Sequence, residues 1–499
     1  MQEEIKSHKE ILKSTSIVGV SQIASILIGI IRTKIVALLL GPVGIGYIGV
    51  LQNIIDLVRQ ITGFGINFSG IKDVAESNAT NDLIKISRTI RILKKWAFWT
   101  GILGTLLAIA FCIPLSKYSF NDTSHAISIA IVSTTILIIS VSGGQLALLQ
   151  GLRKITTMAK ATFYGAILGT VITLPLYWLL GINGIVPGMI LTSLGAFVIS
   201  WWFTKDIKLE TVNLSFSEVF KEGSKMARLG FFITITGIMA TITLYIVRSF
   251  LLKKMNIEIV GCFQACWMIS TLYLGIILNA MLADFFPRLT EVNMDNKAVN
   301  RLINEQLEIA FLVASPMIVG IIVFSYFIIN LLYSKEFLLA IPVLQWLIAG
   351  TFFTIISWPL GVMFLAKSKG VFSFVTETIW SVIFVLILYF GWDYYGFKTI
   401  GYAYVFACFV RLILVFWSTF HLSRFKFSKV NLKYIFVFGV LVFLSLINVT
   451  MFSNYIQYII SLVLILIVLV YSYVHLNKII NINNFIYEKI KKKKNDFVE

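Results

Sequence analysis

The sequence predicts an all-α polytopic membrane protein, and three observations lead to that fold class. Hydrophobic residues make up 58% of the 499 residues and charged residues only 13%, and the mean hydropathy is +0.88, outside the usual range of soluble domains. Apolar runs long enough for a helix to cross a bilayer recur along the whole chain. The loops between them are alternately rich and poor in Lys and Arg, as in proteins that cross a membrane repeatedly.

Fourteen apolar runs of roughly 18 or more residues are the predicted transmembrane helices. The first twelve form two groups of six, and the last two follow a short basic loop. The predicted spans are 14–40, 44–71, 96–115, 125–150, 161–180, 184–203, 228–251, 259–283, 305–330, 337–366, 371–390, 399–420, 433–452 and 456–476.

Positive charges orient these spans. With the N-terminus in the cytoplasm, the cytoplasmic segments hold 32 of the 42 Lys and Arg residues, when Arg228 and Lys433 at the starts of their spans are counted with the adjacent loops. The external loops hold 5, and the remaining 5 lie within spans. Because positive residues favour the cytoplasmic side, both termini are predicted to be cytoplasmic. The net charge of +18, including the tail YEKIKKKKNDFVE, then indicates attraction to an anionic membrane leaflet and not to nucleic acid.

The segment GPVGIGYIG at 41–49 joins the first two predicted spans, and its GIGYIG matches the G-x-G-x-x-G pattern of dinucleotide-binding turns. That pattern needs a short strand before the glycines and an acidic residue about 20 positions later. The preceding run has the length of a transmembrane helix, while Asp56 comes too early and Asp73 too late. We therefore expect a tight turn between two helices, whose small residues let the backbones approach closely.

A weak internal repeat divides the chain. Gly46 matches Gly261 at an offset of 215, and other matches occur at nearly the same offset. The repeat predicts an N-terminal six-helix lobe in residues 1–210 and a C-terminal six-helix lobe in 211–425. Residues 426–499 add two transmembrane helices and the basic tail. Lobes of six helices have the same orientation, and transporters with parallel repeats place the substrate path between them.

Polar residues form a stripe in the second predicted span. Gln52, Asp56, Arg59 and Gly63 are spaced at i, i+4, i+7 and i+11, with Asn53 and Gln60 at the edges. Because ionised groups are costly in hydrocarbon, such a stripe indicates a wet cavity. The alternative is that Asp56 and Arg59 only neutralise each other in a packed interface.

Cationic residues outnumber carboxylates within the spans. The cations are Arg32, Lys34, Arg59, Arg248 and Arg411, and the two clear carboxylates are Asp56 and Glu377. Arg248 occupies the repeat position of Arg32. Lys34, Arg248 and Arg411 are also close enough to helix ends to extend to the membrane surface. The surplus predicts an electropositive cavity for an anionic substrate, and Arg matches the geometry of phosphate oxygens.

Catalytic and metal-binding patterns are lacking in the sequence. The four cysteines lie in apolar runs and the four histidines are scattered over separate segments, so neither a disulfide framework nor a metal site is indicated. The longest external loop has about nine residues, which leaves no room for an external catalytic domain. We expect no metal, no cofactor and no enzymatic activity.

Three segments resemble a known family. IIRTKIVALLLGPVGIGYIG at 30–49, GFGINFSGIKDVAE at 63–76 and FFPRLTEV at 285–292 are similar to signatures of polysaccharide-repeat-unit flippases. These are the O-antigen translocases of the multidrug/oligosaccharidyl-lipid/polysaccharide (MOP) exporter superfamily. The resemblance covers about residues 10–425. It implies a bacterial inner-membrane protein of lipopolysaccharide or other surface-polysaccharide biosynthesis, which moves an undecaprenyl-pyrophosphate-linked oligosaccharide from the cytoplasmic to the periplasmic leaflet.

The resemblance also implies pyrophosphate binding by Arg32, Arg59 and, less directly, Arg248. From the charges within the spans we add Lys34 to the pyrophosphate ligands, and we assign ion coupling or cavity lining to Asp56, Glu377, Arg411, Gln52 and Asn53. The implied partners are the lipid-linked oligosaccharide, membrane lipid, a polysaccharide polymerase and chain-length proteins, and the chain is expected to be a monomer. Ion coupling is expected because no Walker pattern is present.

Two alternatives within the same superfamily stay open. Fourteen predicted helices also fit the peptidoglycan-precursor flippases, whereas many O-antigen flippases have twelve. A drug/cation antiporter shares the fold but would be expected to favour carboxylates in its cavity.

Overall fold

The computed structural model describes residues 2–80, 82–207, 209–367, 369–452 and 455–480. The basic tail YEKIKKKKNDFVE lies outside the described residues. Three short 3-10 helices, Gly181–Gly184, Lys335–Ala340 and Gly396–Lys398, lie between longer helices. The α-helices are α1 Gln2–Gly63, α2 Ile66–Ala79, α3 Leu83–Ala110, α4 Cys112–Phe120, α5 Ala126–Val132, α6 Thr134–Gly151, α7 Ile155–Leu180, α8 Ile185–Thr204, α9 Phe216–Lys254, α10 Ile257–Glu291, α11 Asn296–Val323, α12 Ser325–Leu332, α13 Ile341–Ala366, α14 Gly370–Tyr395, α15 Thr399–Ser423, α16 Lys429–Met451 and α17 Tyr455–Ile480.

These helices confirm the all-α polytopic fold class. They cover all fourteen predicted spans, several of them as two helices in sequence. By length and composition, ten stretches of the described chain could cross a membrane. Two of these stretches, Ile155–Thr204 and Gly370–Ser423, each contain two helices, so the structure is consistent with more than ten crossings.

Capping residues start the helices that follow predicted cytoplasmic loops. Asp82, Asp295 and Ser428 each accept a hydrogen bond from the first turn of α3, α11 and α16. Ser215 and Glu218 form a capping box at the start of α9. Each such bond satisfies a backbone donor that the helix itself leaves unpaired.

The turn predicted at 41–49 is confirmed but is confined to one residue. Gly41 has φ 61° and ψ −168°, and it kinks α1 at that point. Pro42 then begins a second arm of α1, because proline suits the first turn of a helix. The helix predicted over 44–71 is interrupted, since Phe64 and Gly65 have φ 47° and 67° and separate α1 from α2.

The first compact unit comprises Met1–Gln264 and Leu331–Phe337. In this unit α1 packs against α3, α7 and α9, and α6 packs against α2, α3 and α8. Gly46 and Gly261 let α1 and α10 approach closely: a Cβ on Gly46 would lie 2.3 Å from the Ile257 carbonyl oxygen, and one on Gly261 would lie 1.9 Å from that of Pro42. The small residues therefore permit a close backbone contact, but with α10 and not between the two helices that the 41–49 turn was predicted to join.

Helix α9 lies in this first unit, and its first turns are hydrogen-bonded to α3. Arg88 donates hydrogen bonds to Glu222, the shortest 2.6 Å, and to Glu218 at 3.2 Å. Trp96 Nε1 donates to the Val219 carbonyl at 2.8 Å. The boundary between compact units thus falls after Gln264, whereas the lobes 1–210 and 211–425 rest on the sequence repeat and remain a prediction.

The second compact unit comprises Ala265–Asn330 and Leu338–Glu499. Its helix α11 contacts α13, α16 and α17, and α15 packs against α13 and α14. The buried ring of Phe438 stacks against Phe311, with ring centroids 6.2 Å apart. Asn431 Nδ2 donates to the side-chain oxygen of Asn304 at 2.8 Å. The last two helices are therefore joined to α11 by both apolar and polar contacts.

Candidate functional site

The polar stripe predicted in the second span lies on the second arm of α1. Asp56 Oδ1 accepts a hydrogen bond from Arg59 Nη2 at 3.4 Å, and Asp56 Oδ2 accepts one from Gln52 Nε2 at 3.2 Å. The side chains of Arg59 and Asp56 are 33% and 34% exposed. They are thus paired without being enclosed in a packed interface, and the guanidinium remains accessible to a ligand.

A cavity of about 270 Å³ lies at the interruption between α1 and α2, within the first unit. Arg59, Gln60, Asn67, Thr100 and Ser140 supply polar groups to its lining. Gly63 and Gly65 also line it, so the interrupted backbone faces the same space. The volume is at the small end for ligand pockets, which suits a compact polar group better than a whole amphiphile.

Three buried side-chain atoms of this stripe have no hydrogen-bond partner in the structure. They are Arg59 Nε, Gln60 Oε1 and Asn53 Oδ1. Buried polar groups are normally satisfied, and each exception needs a reason. A hydrated or ligand-filled cavity supplies one for Arg59 and Gln60, which line it.

Arg248 belongs to the same compact unit and interacts with the polar stripe. Its guanidinium donates to Gln264 Oε1 at 3.1 and 2.5 Å, and Asp56 is close enough to interact with it electrostatically. Arg248 is only 6% exposed. Arg248 therefore does not extend to the membrane surface, which was the alternative for this residue. The Asp56 carboxylate interacts with both Arg59 and Arg248.

Arg32 and Lys34 lie apart from the Asp56–Arg59 pair. The Arg32 guanidinium contacts the hydroxyl of Tyr177, a buried residue of α7. Lys34 Nζ donates a hydrogen bond to the Tyr333 carbonyl. Neither is among the described residues that line the 270 Å³ cavity, so the structure does not bring all four predicted pyrophosphate ligands to one place.

A second ion pair lies in the second unit. Arg411 Nη2 of α15 is 3.1 Å from Glu377 Oε2 of α14, and Glu377 is 8% exposed. Ser381 Oγ and Arg411 Nε, buried on the same two helices, have no hydrogen-bond partner among the residues that the structure describes. The sequence indicated both charged residues but not that they pair, because they stand on different helices.

Sequence reasoning missed a further titratable cluster in the second unit. The Glu308 carboxylate of α11 interacts with the Tyr434 hydroxyl and with His475, and the His475 ring stacks on Tyr471 at 4.1 Å. The members come from α11, α16 and α17. Glu308 lies near one end of an apolar run, and only its pairing across helices distinguishes it from a boundary carboxylate.

Metal-binding geometry is absent from the described ranges: no group of three or more His, Cys, Asp or Glu side chains is placed to hold an ion. None of the four cysteines forms a disulfide. Within the predicted spans, the described residues offer instead two arginine–carboxylate pairs, Arg59–Asp56 and Arg411–Glu377. The first of these lies at a polar cavity, which suits reversible binding of an anion.

Comparison with known proteins gives the family. Residues 35–342 match the family model described as polysaccharide biosynthesis protein. A curated relative, the lipid III flippase of Escherichia coli (strain K12), is 23% identical over 357 residues, which are 70% of this chain and 83% of the relative.

Two solved structures share the fold. The lipid II flippase MurJ in an inward closed conformation has a TM-score of 0.71 at 16% identity, covering 92% of this chain and 98% of that one. An inward-facing multidrug resistance transporter of the MATE family has a TM-score of 0.67 at 17% identity, covering 80% and 95%. The relatives are flippases and transporters, which confirms the prediction that the chain is not an enzyme. The chain therefore belongs to the polysaccharide biosynthesis protein family, as a multi-pass membrane protein.

Proposed function

We propose that this transporter moves an undecaprenyl-pyrophosphate-linked oligosaccharide, an O-antigen or similar surface-polysaccharide repeat unit, from the cytoplasmic to the periplasmic leaflet. The observation that carries the proposal is the Asp56–Arg59 pair beside a polar cavity, where Arg59 Nε has no partner. The name of the curated relative, lipid III flippase, supports a lipid-linked substrate.

The pair suits a diphosphate that must be bound and then released. A diphosphate cannot cross hydrocarbon without donors that replace its hydration, and Arg offers two parallel donors in a fixed plane. When the diphosphate binds, Arg59 exchanges one anionic partner for another, so no isolated charge is created. Asp56 competes for the same guanidinium and therefore favours release.

Arg248 and Arg32 extend the proposed binding region along the first unit. Arg248 shares Asp56 with Arg59, so freeing Asp56 leaves two cations for one diphosphate. Arg32 contacts the Tyr177 hydroxyl, and this contact does not neutralise its positive charge. Lys34 donates to a backbone carbonyl, and we assign it a smaller share of substrate binding.

Transport is proposed to run by alternating access, coupled to an ion gradient through Asp56 or Glu377. Both termini are placed in the cytoplasm of the bacterial inner membrane by the charge asymmetry of the loops. A polysaccharide polymerase and chain-length proteins are proposed partners, and the proposed unit of transport is a monomer.

A lipid-linked peptidoglycan precursor is the second candidate substrate. The MurJ structure aligns with 92% of this chain, against 80% for the MATE transporter. A drug/cation antiporter is disfavoured because each carboxylate of the two ion pairs is already neutralised by an arginine.

The test compares substitutions of the cationic residues in a strain that depends on this transporter for surface polysaccharide. Arg32→Ala and Arg59→Ala are each expected to abolish surface polymer while protein still reaches the membrane. Arg59→Lys is expected to be partly impaired, because Lys lacks the planar fork, and Lys34→Ala is expected to be milder. The measurement is polymer at the cell surface relative to transporter in the membrane fraction.

Normal polymer from the Arg32→Ala, Arg59→Ala double variant, at normal protein levels, would show that the pyrophosphate is held elsewhere. Lethality from loss of peptidoglycan synthesis, instead of loss of surface polymer, would favour the second candidate substrate.

A further inference from the structure

A second, larger pocket lies in the first unit, away from the charged stripe. Its volume is about 860 Å³, within the range of ligand-binding pockets. It is formed by the start of the second arm of α1, the α4–α5 loop, the segment between α7 and α8, and the junction of α9 and α10. In the predicted topology all of these segments are at the external end of the helices.

Three aromatic rings make one wall of this pocket. The Phe120 and His125 rings stack with centroids 4.2 Å apart, and Tyr47 lies 5.4 Å from each of them. His125 Nδ1 is 3.1 Å from Asp122 Oδ1, and hydrogen bonds with His125 and Ser124 hold the pKa of Asp122 below its ordinary value. The carboxylate thus stays ionised and fixes the ring that supports Phe120.

Neutral polar and apolar side chains together make the rest of the wall. The polar groups include Asn121, Ser124, Asn183 and Asn256. Asn256 Oδ1 accepts from the Ile259 backbone at 3.1 Å, which turns the amide NH₂ into the group available to a ligand. No Asp, Glu, Lys or Arg occurs among the lining residues in the described part of the chain, so the pocket suits an uncharged ligand rich in hydroxyl groups.

We propose that this pocket, which we call the outer pocket, binds the saccharide portion of the lipid-linked substrate. Aromatic rings present electron-rich faces to the C–H groups of sugar rings, and side-chain amides both donate to and accept from hydroxyl groups. The inference rests on the proposed function, since it assigns the sugar and the diphosphate to different places in the same unit.

The positions of Tyr47 and Arg59 give the distance between the outer pocket and the proposed diphosphate site. Both stand on the second arm of α1, twelve residues apart, which corresponds to roughly 18 Å along a helix axis at 1.5 Å per residue. That distance is comparable to the length of a short oligosaccharide. One molecule with a charged group at one end and several sugar rings beyond it therefore matches both sites in size and in chemistry.

The test measures binding of two probes to the purified full-length protein in lipid nanodiscs. One probe is the free oligosaccharide released by mild acid from the lipid-linked pool of the host strain, and the other is sugar-free undecaprenyl diphosphate. Phe120→Leu keeps an apolar side chain but removes the ring, and Asn183→Ala removes an exposed amide. Thr123→Ala is the matched control, because Thr123 is exposed in the same loop and is not a lining residue.

We expect Phe120→Leu and Asn183→Ala each to weaken oligosaccharide binding by about tenfold, the effect of losing one such contact. Both variants and Thr123→Ala should bind undecaprenyl diphosphate as the wild type does, and Arg59→Ala should lose the diphosphate while keeping the oligosaccharide. The inference fails if the oligosaccharide does not bind, or binds equally to all variants, while the diphosphate binds normally. Failure of the diphosphate to bind any variant would refute the proposed function instead.

Discussion

The single carboxylate of Asp56 interacts with two arginines. It pairs with Arg59 at 3.4 Å and interacts electrostatically with Arg248. Because about a third of each side chain in the Asp56–Arg59 pair is exposed, the pair contributes at most about 1 kcal/mol. A pair this weak is easily exchanged for a substrate anion, which is what a carrier requires.

Asp56→Asn should therefore separate binding from turnover. The amide keeps the size of the side chain but no longer competes for Arg59, so undecaprenyl diphosphate should bind several-fold more tightly, the equivalent of about 1 kcal/mol. Release should slow, and surface polymer should fall although binding is intact. Binding to nanodisc-embedded protein and polymer at the cell surface are the two measurements.

Weaker diphosphate binding by Asp56→Asn would show that Asp56 organises the site and does not compete with the ligand. Gln52→Ala is the matched control, because it removes a neighbour of Asp56 without changing the charge.

The sequence allowed only the local part of this site to be predicted. Asp56 and Arg59 are three residues apart on one helix, so helical geometry alone brings them together. Glu377 and Arg411 meet across α14 and α15, and Glu308 meets Tyr434 across α11 and α16. Such pairs depend on how helices pack, and hydrophobic periodicity does not specify that packing.

The aromatic contacts of α11 with α16 make the last two helices part of the second unit. Phe438 is fully buried against Phe311 and Tyr434, whereas Phe436, two residues earlier on the same helix, is 72% exposed. Phe438→Ala should lower the free energy of unfolding. We expect a loss near the lower end of the roughly 3–5 kcal/mol that the same substitution costs in the cores of soluble proteins. The lower end applies because lipid tails are as apolar as the ring.

Phe436→Ala is the control for this prediction and should leave thermal stability almost unchanged. Unfolding of the detergent-solubilised variants, followed by intrinsic fluorescence, gives the comparison. Equal stability of the two variants would mean that α16 is held mainly by its polar contacts, such as the Asn431–Asn304 hydrogen bond.

The crossing of α1 and α10 leaves no room for a side chain. Gly261→Ala would place a Cβ 1.9 Å from the Pro42 carbonyl oxygen, so the helices must separate, at an expected cost of about 1–3 kcal/mol. At Gly29, on the first arm of α1, an added Cβ would have no described atom within 4 Å. Gly29→Ala should therefore leave the melting temperature unchanged. Melting temperatures of the two purified variants test this, and an unchanged value for Gly261→Ala would contradict the close contact.

The sequence allowed the helices to be predicted, but not the points at which they are interrupted. A run of about 20 apolar residues must be helical to satisfy its backbone in lipid, and helices cover every predicted span. The interruption at Phe64–Gly65 places a non-glycine residue at φ 47°, a conformation that Phe rarely adopts. Gly63 and Gly65 flank Phe64, but the apolar run on which the span prediction was based continues across them, so the break that lines the cavity was not predicted.

The charge asymmetry of the whole chain predicts its topology. Reporter fusions placed after Lys205 and at Glu499 should both show cytoplasmic activity, because 32 Lys and Arg residues lie in the predicted cytoplasmic segments and 5 in the external loops. A fusion after Asn183, in the outer pocket, should show periplasmic activity and serves as the opposite control. Periplasmic activity at both Lys205 and Glu499 would reverse the assignment.

Ion coupling is a second prediction for the whole molecule. Flipping of the lipid-linked substrate in sealed vesicles should slow when proton and sodium gradients and the membrane potential are collapsed, because the sequence contains no nucleotide-binding pattern. The Asp56→Asn and Glu377→Gln variants should show which carboxylate couples, since that variant should no longer respond to the gradient. Unchanged flipping after collapse would mean facilitated exchange, driven by consumption of the product outside.

The contact of Gly46 with Gly261 bears on the origin of the chain. These residues match each other in the sequence repeat and also meet in space. In a dimer with two-fold symmetry, a residue on the rotation axis touches its own copy. The two matched glycines meet as such a residue and its copy would, and each keeps free the space that the other requires.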